Sequence, residues 1–298
     1  MKKLYKSNVV GVVVTYQPSL EVLEQLLDAL VPQVTSVVIV DNGSHSDLAA
    51  WSRGRHAGSI EVLLLDENKG IAAAQNVGIQ WARNHGAEFV LLMDQDSIPA
   101  PDMVDKLMAS IAKQPLPAAA GPRYLDERQN NPPPFLRVQG LRLERCACSS
   151  ENSVVPVDYL IASGCLIPMS VLDLVGGMRD DLFIDYVDIE WGLRANYHGF
   201  QSYGVCSAHM LHSLGDHPIK FFGKNIPVHS PLRHYYHFRN AVILYKTPWV
   251  PLNWKAVDGW RLCLKYVFYS LFTKPRRAHW RMMTVGVWHG LVGRSGKY

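Results

Sequence analysis

The first half of the chain repeats one pattern, in which a short apolar run ends in a polar loop and a helix-like segment follows. The apolar residues in these runs are continuous rather than alternating, which is typical of parallel strands buried on both faces. The alternation of strand and helix through short links favours a parallel sheet with helices on both faces. We therefore predict an α/β fold, with strands at residues 9–16, 36–40, 60–65 and 89–93 and with helices at 18–30, 71–85 and 102–113.

The second half of the chain differs from the first in composition and in its apolar pattern. A long stretch (115–156) is rich in Pro, Asn, Arg and Ser before apolar runs return. From about Pro231 the chain is aromatic, basic and helix-like up to residue 298. The apolar patterns of this half predict strands at 135–143, 154–159 and 160–167, and helices at 169–175 and 188–198.

Composition indicates a folded chain with reduced thiols. Apolar residues make up 48% of the sequence and charged residues 19%, so we expect a sizeable core and little disorder. The five cysteines are irregularly spaced, and Cys146-x-Cys148 lacks the further ligands that a zinc site needs. We expect no secretory signal, because the run at 9–14 is short and is interrupted by Gly11. No apolar run approaches the ~20 residues that cross a bilayer, and the chain is predicted to be cytoplasmic.

Charge is distributed unevenly. Residues 220–298 contain 14 Lys and Arg against one acid, Asp258, whereas the first 219 residues carry a balance of −9. A basic helix with an apolar stripe suits the surface of an anionic membrane, so we expect peripheral membrane contact. The alternative is an appendage that packs its apolar side on the body; nucleic-acid binding is disfavoured because no recognisable module accompanies the charge. The stripe comprises Trp260, Leu264, Val267, Phe268, Leu271 and Phe272, and the basic residues are Arg261, Lys265, Lys274, Arg276, Arg277 and Arg281.

Two carboxylates, Asp94 and Asp96, follow the fourth predicted strand directly. Ligands of parallel α/β sheets bind beyond the carboxyl ends of the strands, and the two-residue period of a strand points both side chains to the same side. Their oxygens could then share one divalent cation. The alternative is a polar turn after the strand, helped by Ser97 and Pro99.

Two further polar loops follow predicted strands. Asp41 can accept the imide N–H of uracil or thymine, although Asp41-Asn42-Gly43 is also a strong turn sequence. The segment 68–78 places small residues on a helix that opens at a glycine, where a backbone or an anion can approach closely. Tight helix–sheet packing is the alternative, and neither a dinucleotide-binding nor a P-loop fingerprint is present.

Acidic and histidine residues in the second half complete the candidate site. Asp185, Asp188 and Glu190 lie within six residues, and an acid at a helix N-terminus near the cleft is placed to take a proton from a hydroxyl. Asp188 could instead cap the helix. His209 and His212 are predicted to follow an edge strand, where a histidine could be a further metal or phosphate ligand; chance placement among 12 histidines is the alternative.

In this order the motifs resemble the family 2 glycosyltransferases, which are inverting enzymes of the GT-A fold. The resemblance covers roughly residues 8–240 and includes Asp41, the helix at 68–78, Asp94-Gln95-Asp96 and Ser163-Gly164-Cys165. Its details resemble most the bacterial rhamnosyltransferase branch, whose usual donor is dTDP-L-rhamnose. These details are Gln75-Asn76, the run 183–194, His212-Ser213-Leu214-Gly215 and Tyr235-Tyr236-x-x-Arg239-Asn240.

The resemblance implies roles for individual residues. Asp188 matches the second position of the family's Glu-Asp pair and would be the catalytic base; because Val187 stands at the first position, Asp185 and Glu190 are weaker candidates. Asp94, Asp96 and His212 would bind Mg²⁺ or Mn²⁺. The nucleotide would contact Thr15, Tyr16, Asp41, Asn68, Gly70, Gln75 (Arg in many relatives), Asp94 and Gln95. The acceptor would contact Ser163, Gly164, Asp185, Glu190 and Trp191.

The resemblance also implies an organisation and a reaction. A GT-A domain (1–240) would comprise a nucleotide-binding half (1–115) and an acceptor-binding half (116–240), followed by a helical region (241–298). The enzyme would transfer L-rhamnose from dTDP-β-L-rhamnose to a cell-envelope glycan or a lipid-linked saccharide, at the cytoplasmic face of the inner membrane.

Two alternatives remain open, and a third is disfavoured. The same scaffold could use a UDP- or GDP-sugar, or it could bind glycans without catalysis. A hydrolase is disfavoured because Asp94-Gln95-Asp96-Ser97 lacks the Asp-Gly-Thr context of aspartyl phosphatases.

Overall fold

The computed structural model describes residues 7–56, 58–125, 135–150, 152–212, 219–221, 224–226 and 228–298. The Ser213-Leu214-Gly215 part of the predicted histidine motif lies outside the described residues. The helices are α1 (Leu20–Leu30), α2 (Leu48–Ser52), α3 (Ile71–Asn84), α4 (Met103–Ile111), α5 (Met169–Val175), α6 (Val187–Tyr197), α7 (Pro231–Lys246), α8 (Leu252–Phe272) and α9 (Arg276–Val292). The strands are β1 (Val9–Thr15), β2 (Ser36–Asp41), β3 (Ile60–Leu64), β4 (Phe89–Asp94), β5 (Ser97–Pro99), β6 (Pro117–Leu125), β7 (Phe135–Gln139), β8 (Arg142–Cys146), β9 (Val154–Val157), β10 (Cys165–Pro168), β11 (Gln201–His212), β12 (Ile219–Phe221) and β13 (Lys224–Ile226).

One sheet determines where the polar loops meet. Within the described part of the chain its order is β3-β2-β1-β4-β10-β6-β11-β5, with β9 beside β11. The first four strands are parallel to one another, as predicted. β10 runs antiparallel to both β4 and β6, and β11 is parallel to β6. Consequently β4, β6 and β11 point the same way, and their carboxyl ends lie along one edge of the sheet.

Each face of the sheet is covered by its own helices. Val10, Val12 and Val14 of β1 enter one core, whereas Val9 and Val13 enter the other, as the two-residue period of a strand requires. The first core contains the buried residues of α3, α5 and α6, and the second contains those of α1 and α4. The predicted α/β fold with helices on both faces is confirmed.

The strand boundaries predicted for the second half are wrong in two places. Residues 135–143, predicted as one strand, form the hairpin of β7 and β8, because Gly140 turns the chain with a φ of +58°. The strand predicted at 160–167 begins only at Cys165. Gly164, with a φ of +79°, belongs to the turn that precedes it.

A disulfide corrects the expectation of reduced thiols. Cys148 and Cys206 are bonded, which joins the segment after β8 to β11. Cys146, Cys165 and Cys263 are free. The bonded residues are 58 positions apart in the sequence, so no local spacing indicated the pair.

The C-terminal helices pack tightly on one another. A Cβ at Gly286 of α9 would lie 2.5 Å from the carbonyl oxygen of Tyr235, and one at Gly290 would lie 2.7 Å from that of Arg239. Glycine therefore allows α9 to approach the backbone of α7. The predicted boundary after residue 240 falls inside α7.

The segment between the short 3-10 turn Asp180–Leu182 and α6 has an unusual backbone. Phe183, Asp185 and Tyr186 have φ values of 68°, 65° and 64°, a region that costs energy for residues other than glycine. Asn240 of α7 is fully buried. Its Nδ2, whose two N–H groups are shared among three acceptors, lies 2.9, 2.8 and 2.9 Å from the carbonyl oxygens of Leu182, at the end of the turn, and of Ile184 and Asp185 in the segment.

Arg239 and Asp258 add to this support. The Arg239 guanidinium is fully buried and donates to the carbonyl oxygen of Leu182 at 2.9 Å, while its Nε donates to Oδ1 of Asn240 at 2.9 Å. Asp258, the one acid of the basic C-terminal region, accepts the hydroxyl proton of Tyr186 at 2.8 Å. The C-terminal helices therefore fix the backbone that leads into α6.

We predict that Asn240→Ala lowers the free energy of unfolding by about 2–4 kcal/mol, because it leaves buried carbonyl oxygens without donors. Asn240→Asp should cost more, since an ionised carboxylate cannot donate. Urea denaturation measures both effects. Asn84→Ala is the matched control: this amide lies on the exposed surface of α3, where it accepts a hydrogen bond from Gln80, and its loss should change stability by no more than about 0.5 kcal/mol. Wild-type stability of Asn240→Ala would contradict the prediction.

Candidate active site

The carboxyl ends of β4 and β11 bring Asp94, Asp96 and His212 together. One ligand atom from each lies within 4.8 Å of the other two, and His212 Nδ1 is 3.8 Å from Asp96 Oδ1. His212 was expected to follow an edge strand, but it is the last residue of β11, which pairs with β6 on one side and β5 on the other. His209 lies within the same strand and does not belong to this group.

Two buried serines support this group. Ser163 Oγ accepts the backbone N–H of Asp94 at 3.1 Å and donates to Ser97 Oγ at 2.7 Å. Ser97 Oγ in turn lies 2.6 Å from Nδ1 of His212. The same nitrogen is the one that lies 3.8 Å from Asp96 Oδ1, so the contact with Ser97 fixes the orientation of the imidazole ring beside the acidic pair. Ser163, predicted to contact the acceptor, here lies behind the acidic pair.

The electrostatics of the group favour a bound cation. Burial raises the pKa of Asp94, and the negative charge of Asp96 raises it further, whereas His212 and Arg233 lower it. A divalent cation between the carboxylates would relieve both the burial of charge and the repulsion. Two carboxylates and one imidazole form a ligand set that suits Mg²⁺ or Mn²⁺. The residues present therefore fit a divalent metal.

The carboxyl end of β2 holds the predicted nucleotide-binding carboxylate. Asp41 is 2% exposed. Its Oδ1 accepts the hydroxyls of Thr15 and Ser44 at 2.9 and 2.5 Å, and its Oδ2 accepts the backbone N–H of Ser44 at 2.9 Å. The β1 loop is joined to the acidic group, because Gln95 Oε1 accepts the backbone N–H of Tyr16 at 2.8 Å. Thr15, Tyr16, Asp41 and Gln95 thus lie along the same sheet edge.

The loop before α3 is fixed by amide side chains and a glycine. Asn68 Oδ1 accepts the backbone N–H of Gly70 at 2.9 Å and lies 3.2 Å from the donor Nδ2 of Asn42. Gly70 has a φ of +90°, and a Cβ there would lie 2.5 Å from the carbonyl oxygen of Phe183. Only glycine fits this position, where the start of α3 meets the segment before α6.

Gln75 is buried on α3, and its Oε1 has no hydrogen-bond partner within the described residues. A buried polar atom without a partner costs free energy unless a ligand or a water pairs with it. The nucleotide contact predicted for Gln75 would provide such a partner.

Asp188 lies in the first turn of α6, next to a small apolar cavity. The cavity has a volume of about 10 Å³, and Leu92, Cys165 and Trp191 line it together with Asp188. Burial raises the pKa of Asp188 to about 6; the backbone N–H of Ile189 opposes this shift, and the charges of Asp185 and Asp94 add to it. A carboxyl with such a pKa is suited to accept a proton near neutral pH.

Asp185 is paired rather than free. Arg233 Nε of α7 lies 3.3 Å from its Oδ1 and 3.4 Å from its Oδ2. The positive charge of Arg233 also lowers the pKa of Asp94. No sequence motif indicated Arg233; its position on the first turn of a basic helix, just before Tyr235-Tyr236, was the available signal.

Three residues that were predicted to contact the acceptor make close contacts within the protein. Glu190 is buried in a two-point ion pair with Arg194, at 3.0 and 2.9 Å. Trp191 is buried, and its Nε1 donates to the carbonyl oxygen of Gly176 at 3.0 Å. A Cβ at Gly164 would lie 2.6 Å from the ring of Pro122.

The family model described as Glycosyl transferase family 2 matches residues 12–170. The dTDP-rhamnosyl transferase RfbF of Shigella flexneri is 35% identical over 248 residues, which cover 83% of this chain and 82% of the relative.

Two solved structures show the same fold at low identity. The S. aureus protein TarS (residues 1–349), in complex with UDP-GlcNAc, matches with a TM-score of 0.62 and 16% identity, covering 95% of this chain and 81% of that one. The mannosyltransferase PcManGT from Pyrobaculum calidifontis, in complex with GDP-Man and Mn²⁺, matches with a TM-score of 0.58 and 15% identity, covering 98% and 88%. The predicted GT-A fold is confirmed. Since the family model spans more than half of the chain, this protein belongs to glycosyl transferase family 2 and is a glycosyltransferase.

Proposed function

We propose that the protein transfers L-rhamnose from dTDP-β-L-rhamnose to a hydroxyl group of a cell-envelope glycan, of the lipopolysaccharide or O-antigen type. The identity to RfbF supports the donor. One observation supports the reaction type: the group formed by Asp94, Asp96 and His212 lies close enough to Asp188 for the charge of Asp94 to raise the pKa of Asp188. A metal-binding group and a base then face the same substrate.

In the proposed reaction, Asp188 accepts the proton of the acceptor hydroxyl as the oxygen attacks the anomeric carbon. The new C–O bond forms while the bond from that carbon to the diphosphate oxygen breaks, and dTDP leaves. A single displacement inverts the centre, so a β-L donor gives an α-L linkage. When bound by Asp94, Asp96 and His212, Mg²⁺ or Mn²⁺ neutralises charge on the diphosphate. Arg233 is placed to add a second positive charge there.

Asp41 is proposed to bind the base of the nucleotide. An ionised carboxylate has about four acceptor positions, and the hydroxyls of Thr15 and Ser44 and the N–H of Ser44 occupy three of them. The remaining position on Oδ2 suits the imide N–H of thymine or uracil. A hydrogen-bond acceptor at this position selects thymine or uracil as the base, but it does not select the sugar.

We also propose that α8 and α9 contact an anionic membrane surface. Trp260, Leu264, Val267 and Leu271 of α8 are 53–67% exposed and recur on one helix face. Exposed basic residues stand beside them: Arg261, Lys274, Arg276, Arg277 and Arg281. Lys265 was predicted to belong to this basic set, but it is directed inward, with its Nζ 3.0 Å from His237 Nε2, and burial lowers its pKa.

No helix in the described part of the chain has the length and apolar character needed to cross a membrane. The proposed contact is therefore with the surface of the bilayer, where the aromatic stripe would lie among the headgroups. Such a location would place the site near a lipid-linked acceptor.

Donor binding provides the direct test of the proposed function. With Mn²⁺ present, we expect dTDP-L-rhamnose and dTDP to raise the Tm of the protein more than UDP-glucose, UDP-GlcNAc or GDP-mannose does. The increase should disappear when the metal is chelated, and also in Asp94→Asn and His212→Ala, because these changes remove metal ligands. A larger increase with a UDP- or GDP-sugar would favour the alternative donor on the same scaffold.

Replacing the proposed base should separate binding from turnover. We expect Asp188→Asn to lower transfer by about 10²–10⁴-fold or more, while metal-dependent dTDP binding survives. Asp173→Asn is the matched control: this surface carboxylate pairs with Arg83 at 2.9 Å, and its replacement should leave the rate unchanged. Near-normal transfer by Asp188→Asn would remove the assignment.

The pH dependence of kcat/KM should report the raised pKa of Asp188. The base must be ionised, so the rate should fall as the pH drops through about 6, whereas an ordinary aspartate would remain ionised down to a pH of about 4. The control is dTDP binding over the same range, because the pKa of Asp94 is raised as well. A rate that holds constant down to a pH of about 4.5 would contradict this assignment.

Vesicle flotation tests the membrane contact in the full-length chain, since deleting α8 would also remove the Asp258 partner of Tyr186. We expect flotation with phosphatidylglycerol vesicles but not with pure phosphatidylcholine vesicles, and its loss in Arg276→Glu/Arg277→Glu and in Trp260→Ser/Leu264→Ser. If Trp260→Ser/Leu264→Ser instead converts a dimer into a monomer and flotation is absent throughout, the stripe is a subunit interface.

A further inference from the structure

A groove separate from Asp188 lies between α6 and the turn that joins α7 to α8. Its volume is about 170 Å³, and its lining includes Asp158, Asn196, Tyr197, Trp249, Asn253 and Trp254. Neither the sequence motifs nor the proposed chemistry uses these residues. We propose that the groove binds a neutral sugar unit of the acceptor glycan, at a distance from the hydroxyl that reacts.

Aromatic residues form an exposed wall and the buried base of the groove. Tyr197 is 64% exposed, and its ring centroid lies 5.8 Å from that of Trp249 with an angle of 37° between the planes. Trp254 is buried and packs edge-on against Tyr186, at 6.5 Å. A pyranose ring presents C–H groups on one face, and these pack well on the electron-rich face of an aromatic ring. An exposed tyrosine beside a tryptophan is suited to such stacking.

The polar residues of the groove are fixed by the protein. Asp158 Oδ2 accepts the backbone N–H of Val138 at 2.6 Å, and Asn196 Nδ2 donates to the carbonyl oxygen of Asp158 at 3.2 Å. Oδ1 of Asp158 and Oδ1 of Asn196 keep acceptor capacity, and Asn253 adds a further carboxamide to the lining. A few fixed polar groups among aromatic walls are typical of small-molecule sites.

Charge restricts the class of ligand. The residues that line the groove include no Lys, Arg or His, and Asp158 is their one carboxylate. A phosphate, a nucleotide or an acidic sugar would therefore meet a negative group with no cation to compensate it. A neutral ligand with several hydroxyl groups avoids this cost, because both carboxylates and carboxamides accept hydroxyl protons.

The groove and the proposed base lie at opposite ends of α6. Asp188, Gly192 and Asn196 lie on one face of α6 at intervals of four residues. A Cβ at Gly192 would lie 2.7 Å from Cβ of Tyr159, so the segment Asp158-Tyr159 runs along this face. Burial and the charge of Asp188 raise the pKa of Tyr159.

Asn196 follows Asp188 by eight positions, which corresponds to about 12 Å along the helix axis. This distance exceeds the width of one sugar ring. The groove would thus bind a sugar further along the glycan chain than the one that reacts. Its role as part of the acceptor site rests on the proposed function, whereas sugar binding in the groove does not.

Saturation-transfer NMR on the full-length protein, with Mg²⁺ and dTDP bound, tests the inference. The probes are the methyl glycosides of rhamnose, glucose, galactose and N-acetylglucosamine, with methyl glucuronide as the charged comparison. We expect at least one neutral glycoside to bind at millimolar concentration and the glucuronide to bind about tenfold more weakly. Tyr197→Ala and Asn253→Ala should each raise the Kd of that glycoside about tenfold.

Trp288→Ala is the matched control, since Trp288 is 61% exposed on α9 and lies outside the groove; this variant should bind the glycoside like wild type. The Tm of Tyr197→Ala should stay unchanged, because the tyrosine is mostly exposed. Absence of binding by every neutral glycoside, or equal binding by wild type and Tyr197→Ala, would overturn the inference. Failure of wild type to bind dTDP would instead count against the proposed function, and the effect of Tyr197→Ala would still decide whether the groove binds sugar.

Discussion

The buried pair Arg239 and Asn240 is the constraint on which the rest of the site depends. Side-chain donors from α7 satisfy the carbonyl oxygens of a segment whose φ values are unfavourable for residues other than glycine. Such a backbone persists only where its surroundings hold it. Because this segment leads directly into α6, the C-terminal helices determine where Asp188 is placed. They pack as one unit with the segment that leads into α6.

The direction of the strands determines where the polar residues of the first half of the chain and His212 lie. The carboxyl ends of β1, β2, β4 and β11 meet at one sheet edge, so residues far apart in sequence converge there without long loops. The buried serines Ser97 and Ser163 link Asp94 to His212 across the intervening strands. A rigid support of this kind fixes ligands before a cation arrives, which reduces the ordering cost of binding.

Sequence patterns predicted the helices and strands that depend on local periodicity. They did not predict the features that depend on contacts between residues distant in the sequence. The first four strands and the helices α1 and α3 between them were predicted, because continuous apolar runs and helical spacing are local signals, whereas the short helix α2 (Leu48–Ser52) was not. The strand predicted at 160–167 was too long, since the backbone N–H of Cys165 donates to the carbonyl oxygen of Ala162 and closes a turn before the strand begins. The Cys148–Cys206 disulfide, the Arg233–Asp185 ion pair and the inward direction of Lys265 all join residues that are distant in sequence. No pattern within one segment could have indicated them.

A crystal structure with dTDP and Mn²⁺ bound is the most direct measurement of the central claim. The account predicts an anomalous manganese peak in contact with Asp94, Asp96 and His212, with the diphosphate against it and the thymine near Asp41. Manganese and nucleotide bound elsewhere, with the two carboxylates directed away from them, would contradict it.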